Sequence, residues 1–430
     1  MDTEQDKSFD DAYVATGDDE AIHTEDPDIL SQLNDYLLPN EPRRITPNDV
    51  DMILEHCCLI NTSDITIQTD EYIIAEIYGR LCRITKRRLN NSEVGSILNA
   101  IYGPNGTTQL LSGSDIDTNY EFKPNRLDRF RFRVNGTACL VSGHDGIQIT
   151  LRTIPTTPPD ISTMDIPSAI MDYLAPEQGV VYITGATGSG KSTLLASVIS
   201  DIAADPKSNR KILTYESPIE FVYDDIKKTS AVVSQSEIPL HIPNFAAGVR
   251  NALRRKPRLI LVGEARDQET ISSVLEAALT GHPVYTTMHT NGVAETIRRL
   301  VGTFPQEERA GRTIDLIETV RLIVWQKLVP TVDKKRVALR EYLVFNDAVR
   351  DILLTVDHDR ITEKTREVLR SHGQTMIVDA KAKYDAGIID FDVFKTLARG
   401  TEYEVPSEES SATSQDKAPK SSASDDKKRD

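Results

Sequence analysis

Apolar residues recur along this chain at two periods, and the period switches repeatedly. Val50-Asp-Met-Ile-Leu-Glu-His-Cys57 spaces them as one helical face, and Ser92-Glu-Val-Gly-Ser-Ile-Leu98 opens like a capped helix. Asp64-Ile-Thr-Ile67 and Glu71-Tyr-Ile-Ile-Ala75 read as strands. Arg129-Phe-Arg-Phe-Arg-Val134 alternates charge with apolar character at period two, so Arg129, Arg131 and Arg133 share one face of a strand. Beyond Ser168 the pattern changes. Short apolar runs (180–184, 211–215, 258–262 and 284–287) alternate with helical segments such as 193–199, 270–279 and 292–301. Continuous apolar runs between helices predict buried parallel strands with crossover helices, an α/β domain. Residues 347–400 read as helical, and no internal repeat is visible.

Composition divides the chain further. The stretch Ile154–Pro167 is rich in Pro, Thr and Asp and reads as a linker. The expected organisation is an acidic tail over 1–28, a mixed α+β domain over 29–153 and a linker over 154–167. An α/β domain over 168–347, a helical region over 348–400 and a solvated tail over 401–430 follow. A chain of 430 residues is too long for one ordinary core. Its net charge of −16 sits mostly in the tails. Residues 1–28 carry one Lys against eleven carboxylates and 401–430 carry five basic against eight acidic residues, which leaves the body at −3. A near-neutral body offers no broad basic field for nucleic acid. No apolar stretch approaches the ~20 residues of a membrane helix, and the acidic N-terminus does not resemble a signal peptide. Cys57, Cys58, Cys82 and Cys139 form no C-x-x-C pair, which predicts free thiols in a reducing compartment.

The chemistry concentrates in Gly185-Ala186-Thr187-Gly188-Ser189-Gly190-Lys191-Ser192, between the 180–184 strand and the helical run from Thr193. It fits the phosphate-binding loop G-x-x-x-x-G-K-[ST] in the strand–loop–helix context that the loop requires. Glycines let consecutive N–H groups converge on phosphate oxygens, and the helix start adds its positive dipole end. Lys191 supplies a point charge for the outer phosphates and Ser192 a hydroxyl for Mg²⁺, with Thr193 near the α-phosphate. A plain Gly/Ser turn would not need Lys-Ser at this offset. ATP and Mg²⁺ are the expected ligands.

Phosphoryl transfer to water also needs carboxylates at the carboxyl ends of neighbouring strands. Strand 211–215 runs into Glu216, with Glu220 four residues on. Strand 258–262 is followed by Gly263-Glu264 and then Arg266 and Asp267, and strand 284–287 by Met288-His289. Each alone reads equally well as a solvated turn residue, His282 equally as a helix cap, and Arg254-Arg255-Lys256 as a solvated helix end. Their ordered co-occurrence in one phosphate-loop domain favours the site.

Together these motifs resemble the ATPases of type II secretion, type IV pili and type IV secretion, the GspE/PilT superfamily, over roughly residues 45–345. Gly185–Ser192 matches the Walker A loop, Ile212–Glu220 the "aspartate box", Leu261–Asp267 the atypical Walker B, and Leu279–Asn291 the "histidine box". Arg131–Asn135 and Leu151–Pro155 match the end of a PilT-type N-terminal domain. Ser217 replaces the usual Asp, and the tetracysteine insert of pilus-assembly ATPases is absent. Tyr215-Glu-Ser-Pro-Ile-Glu220 with Arg321–Leu328 is most similar to the DotB and TraJ branch, the ATPases of Dot/Icm secretion and IncI-type conjugation.

The resemblance implies a homo-hexamer of subunits with a PAS-like N-terminal and a RecA-like C-terminal domain. It implies Glu216 and Glu264 as the water-activating and Mg²⁺-ordering carboxylates, with the two roles interchangeable at this stage, and Glu220 and His289 beside them. It further implies that N-terminal arginines reach the phosphates. Arg131 and Arg133 match best, then Arg152 and Arg126, and a surface stripe of ion pairs is the plain alternative. A cytoplasmic ring docked on a larger ATPase at the inner membrane is the implied setting. Pilus retraction is the nearest alternative, and a DNA translocase on the same core a more distant one.

Overall fold

Two sheets organise the chain, each with its own hydrophobic core. The computed structural model describes residues 36–401 and Tyr403, apart from 78–79, 127, 156 and 334. The expected tail at 1–28 and nearly all of that at 401–430 lie outside the described residues. The chain divides into two compact units. One runs up to Pro158 and takes back residues 217–226; the other comprises Pro159–Glu216 and everything from Lys227. The sequence reading had placed 217–226 with the α/β domain. Main-chain carbonyls in that segment satisfy Arg131 of the first unit, as described below.

The first unit is built on an antiparallel sheet in the order β3-β2-β1-β6-β5-β4. Its strands are β1 (Asp64–Gln68), β2 (Ile74–Ile77), β3 (Arg80–Arg83), β4 (Ile116–Phe122), β5 (Phe130–Val141) and β6 (His144–Ile154). The strand expected from Glu71 begins only at Ile74. The chain first turns through Asp70, whose φ is 57°, and the Glu71 carbonyl takes the Leu89 N–H. The basic strand at 129–134 extends into a long hairpin, β5 with β6, through Ser142-Gly143. The helix Val50–Leu59 buries Val50, Ile53, Leu54 and Cys57, the spacing of one face. In the helix Asn91–Tyr102 the cap is Asn90, which exchanges hydrogen bonds with Glu93 in a capping box. Val94, Ile97 and Leu98 join Ile65, Ile67, Phe132, Val134, Ile149 and Leu151 in the core. All four cysteines are free.

The second unit is a seven-stranded sheet in the order β13-β12-β7-β11-β10-β8-β9. Its strands are β7 (Gly179–Thr184), β8 (Lys211–Glu216), β9 (Val232–Glu237), β10 (Leu259–Val262), β11 (Pro283–Met288), β12 (Val320–Pro330) and β13 (Arg336–Val344). All neighbours are parallel except β12 with β13. β7, β10 and β11 are buried along their whole length, as both-face coverage requires. Crossover helices Lys191–Ala204, Phe245–Leu253, Gln268–Leu279 and Val293–Gly302 separate the parallel strands. Among the described residues four α-helices follow β13: Asp347–Leu354, Ile361–His372, Met376–Asp385 and Phe391–Ala398. β9 was not anticipated. It is the edge strand, only partly buried, and Val232-Val-Ser-Gln-Ser-Glu237 lacks the apolar run that marks its neighbours.

Candidate nucleotide site

Parallel registration decides which residues meet. Thr184 at the end of β7 pairs with Met288 at the end of β11, and Val262 of β10 lies between Tyr215 of β8 and Thr286 of β11. The carboxyl ends of four strands are therefore level. The phosphate loop after β7, Glu216 on β8, Gly263-Glu264 after β10 and His289 after β11 share one edge of the sheet, the edge where doubly wound sheets bind ligands. Further hydrogen bonds lock the edge. Gly185 N–H donates to Met288 O at 3.2 Å, Gly263 N–H to Tyr215 O at 2.7 Å and Ala265 N–H to Thr287 O at 3.0 Å. The Thr287 hydroxyl donates to Gly263 O at 2.6 Å.

The loop turns through Gly185, Gly188 and Gly190, all at positive φ, and delivers Lys191 as the first residue of its helix. Lys191 Nζ donates to the carbonyls of Gly185 and Ala186, each at 2.9 Å, so the ammonium lies against the loop. Ala186, Thr187 and Gly188 are exposed, and Ser192 and Thr193 are half-buried at the helix start. The Ser189 hydroxyl is buried with no hydrogen-bond partner among the described residues. A strand–loop–helix with an orphaned hydroxyl and an ammonium at a helix N-terminus suits a polyphosphate.

The acidic residues differ in setting. Glu216 is buried, and its Oε1 accepts from Thr214 Oγ1 at 2.6 Å and Gln235 Nε2 at 3.1 Å. Glycine at 263 is a matter of close approach: a Cβ there would sit 3.3 Å from the Glu216 Cα and 3.2 Å from the Tyr215 carbonyl. Glu264 is partly exposed, with Oε1 3.9 Å from His289 Nε2. Burial holds the His289 pKa below the usual imidazole range. Lys191 and Arg299 reinforce that shift and Glu264 opposes it. The neutral imidazole is therefore favoured at His289, near both the loop lysine and a carboxylate. Glu220 is exposed, lies on the 217–226 segment, and offers its main-chain carbonyl to Arg131.

Other candidates have structural partners. His282 sits at the opposite end of β11, its Nδ1 3.2 Å from Ala277 O and from Thr280 Oγ1, which makes it a helix-end residue. Asp267 caps the helix Gln268–Leu279 by accepting from Thr270 N–H. The arginine face of β5 is occupied within the first unit. Arg129 pairs with Glu121 and Asp224, each at 2.9 Å. Arg131 donates to Ile219 O at 2.6 Å and Glu220 O at 3.0 Å, and Arg133 pairs with Asp117 at 2.9 Å. Arg152 pairs with Asp64 at 2.8 Å. Sequence reasoning missed Thr214 and Gln235, which hold Glu216, and Gln326 and Arg340, which back the loop. Gln326 carried a signal: it is an amide inside an otherwise apolar strand run.

Comparison with known proteins agrees with this fold. The family described as "Type II/IV secretion system protein" matches residues 128–399. A twitching motility protein of Neisseria gonorrhoeae is 32% identical over 351 residues, 80% of this chain and 90% of the relative. The crystal structure of the Legionella pneumophila ATPase DotB is 66% identical with a TM-score of 0.77, covering 85% of this chain and 99% of that one. The pilus retraction motor PilT, solved with bound ADP, is 28% identical with a TM-score of 0.71, covering 81% and 96%. With both sheets formed, the loop in place and a match longer than half its length, this chain belongs to the type II/IV secretion system protein family, as one of its ATPases.

Proposed function

We propose that this chain is the ring-forming motor of a type IV secretion machine of the Dot/Icm class, and that it hydrolyses ATP at the loop-bearing edge of its parallel sheet. The observation that carries this reading is the 66% identity to the Legionella ATPase DotB across 99% of that protein's structure. The weaker likenesses to PilT and the gonococcal twitching protein support a motor in general and pilus retraction as the second reading.

In the proposed mechanism the loop amides and Lys191 bind the β- and γ-phosphates. Lys191 exchanges the carbonyls of Gly185 and Ala186 for phosphate oxygens. Among the described residues no group of three or more His, Cys, Asp or Glu could hold a metal ion by itself. Mg²⁺ would be held by the Ser192 hydroxyl together with nucleotide oxygens and waters, and Glu264 would order its water shell. When bound, the ion neutralises developing charge on the phosphates.

Glu216 is assigned to orienting and deprotonating the attacking water. Its Oε1 is fixed by Thr214 and Gln235, so the carboxylate acts from a preset position. His289 is assigned a hydrogen bond near the γ-phosphate. A phosphate contact by Arg131 or Arg133 requires the arginine to exchange the partners it holds here, carbonyl oxygens and Glu121 for Arg131 and Asp117 for Arg133.

The test is phosphate release from ATP by the full chain, together with its mass in solution. Wild type should turn over as a hexamer. Lys191→Ala should keep the assembly and lose roughly 100-fold or more in rate, about 3 kcal/mol of transition-state stabilisation. Unchanged turnover in Lys191→Ala would remove the loop from the mechanism, and a monomeric, active wild type would remove the ring.

A further inference from the structure

Behind the phosphate loop lies a pair of buried polar side chains that the ATPase motifs do not include. Gln326 on β12 and Arg340 on β13 are directly opposed across the antiparallel ladder, and each is 1% exposed. Register places Gln326 beside the loop, because its neighbour Trp325 pairs with Thr184, the last residue of β7. Gln326 then meets both ends of the loop. A Cβ on Gly185 would lie 2.3 Å from its main-chain oxygen, and one on Gly190 would lie 2.9 Å from its Nε2. The main-chain approach requires glycine at 185, and positive φ favours it at both positions.

The side-chain amide is oriented at both of its ends. Nε2 donates to Ser189 O at 2.7 Å, and Oε1 accepts from Arg340 Nε at 2.9 Å. Arg340 is itself fixed: Nη1 donates to Asp165 O at 2.5 Å and Nη2 to Met164 O at 2.7 Å. Its main-chain N–H donates to Asp379 Oδ2 at 2.8 Å. Lys383 pairs with the Asp165 carboxylate at 2.5 Å. A buried guanidinium is costly to desolvate, and an apolar residue would fill the space more cheaply. What the guanidinium adds is a rigid planar fork that fixes three acceptors at once.

The consequence falls on one peptide group. Among the described residues only Ser217-Pro218 and Ile238-Pro239 are cis, so the Ser189–Gly190 peptide is trans and its C=O and N–H point in opposite directions. Gln326 holds the carbonyl on the β12 side, which turns the Gly190 N–H away from β12. We propose that Gln326 is a positioning residue for nucleotide binding: oriented by Arg340, it fixes the Ser189–Gly190 peptide so that the Gly190 N–H donates to phosphate. The pair also ties loop geometry to residues 164–165, just past the boundary between the units, and to the helix Met376–Asp385 through Asp379. This rests on the ATPase assignment and adds residues that lie outside the loop's own motif.

The experiment uses the full chain with Mg²⁺ and measures ATP turnover, affinity for a fluorescent ADP and thermal unfolding. Wild type is the control; a wild type without turnover would count against the ATPase assignment and not against the positioning role. Gln326→Met keeps volume and removes both hydrogen bonds. Gln326→Glu keeps the acceptor for Arg340 and loses the donor to Ser189. Arg340→Lys keeps the charge and releases Gln326.

The expected result is a rise of about tenfold in KM for ATP and in Kd for ADP for both Gln326 variants, with kcat changed less than threefold. Arg340→Lys should change in the same direction, and the Gln326→Met/Arg340→Lys double variant should be no worse than Gln326→Met alone, since one pathway is shared. Three results would overturn the proposal: KM and Kd within twofold of wild type in folded variants, additive effects in the double variant, or a kcat that falls with the folded fraction at constant KM. Failure of all three single variants to fold would make the pair a fold element and would equally end the positioning role.

Discussion

Replacing Glu216 by glutamine tests the proposed chemistry most cleanly, because the site predicts a large kinetic effect with little structural cost. Oε1 accepts from Thr214 Oγ1 at 2.6 Å and from Gln235 Nε2 at 3.1 Å. The glutamine carbonyl oxygen can accept from both donors, so Glu216→Gln retains volume and these two hydrogen bonds while it removes the negative charge and replaces the second oxygen by an amide donor. Trading a charged for a neutral acceptor changes a hydrogen bond by about 1 kcal/mol, so the melting temperature should move by a few degrees at most. A positioned base contributes roughly 10²–10⁴ in rate, or about 3–5 kcal/mol of barrier. Single-turnover phosphate release should therefore slow by at least about 100-fold while fluorescent ADP binds as tightly as to wild type. Glu264→Gln, measured in parallel, separates the two carboxylates: a Mg²⁺-ordering role predicts a raised Mg²⁺ requirement, which a base role does not. Phosphate release by Glu216→Gln within threefold of wild type, at matched folding, would refute the assignment of the base.

The arginines of β5 should separate by burial. Arg131→Ala removes a buried guanidinium with its hydrogen bonds to the Ile219 and Glu220 carbonyls and its pair with Glu121 and should cost about 1–3 kcal/mol in denaturant unfolding, whereas Arg133→Ala breaks an exposed pair with Asp117 and should cost under about 1 kcal/mol; equal costs would contradict this account of the stripe. His289 supplies a pH dependence. Its folded pKa lies below the ordinary 6.5 because of burial, with Lys191 and Arg299 adding to the effect and Glu264 opposing it, so the unfolded chain binds its proton first. Stability linked to this group is complete above about pH 6.5 and falls as pH drops through and below that value. Turnover should be flat from pH 7 to 8 and fall under acid conditions, and His289→Gln should remove that part of the acid limb; an identical pH profile in the variant would exclude His289 as its source.

Much of the candidate site was legible in the sequence because its signals are local. Gly185–Ser192 is a contiguous run whose spacing is fixed by the size of a phosphate and by the strand and helix on either side. The level ends of β7, β8, β10 and β11 follow from parallel pairing once apolar runs alternate with helices, so the sequence alone puts Glu216, Gly263-Glu264 and His289 at one edge. Period-two alternation likewise put Arg129, Arg131 and Arg133 on one face.

Only the tertiary structure could distribute those arginines among Asp224, the carbonyls of residues 219–220, and Asp117, because these partners come from distant parts of the chain or from another strand. The return of residues 217–226 to the first unit is likewise set by long-range packing and leaves no periodic trace. Gln326 and Arg340 show the same limit. Each is one polar residue in a strand, and its meaning comes from contacts with Ser189 and with residues 164–165, more than a hundred positions away in sequence. Short segments carry their chemistry in their own residues. The tertiary structure decided which buried donors and acceptors satisfy one another, because an unpaired buried polar group is costly and its partner can come from anywhere in the chain.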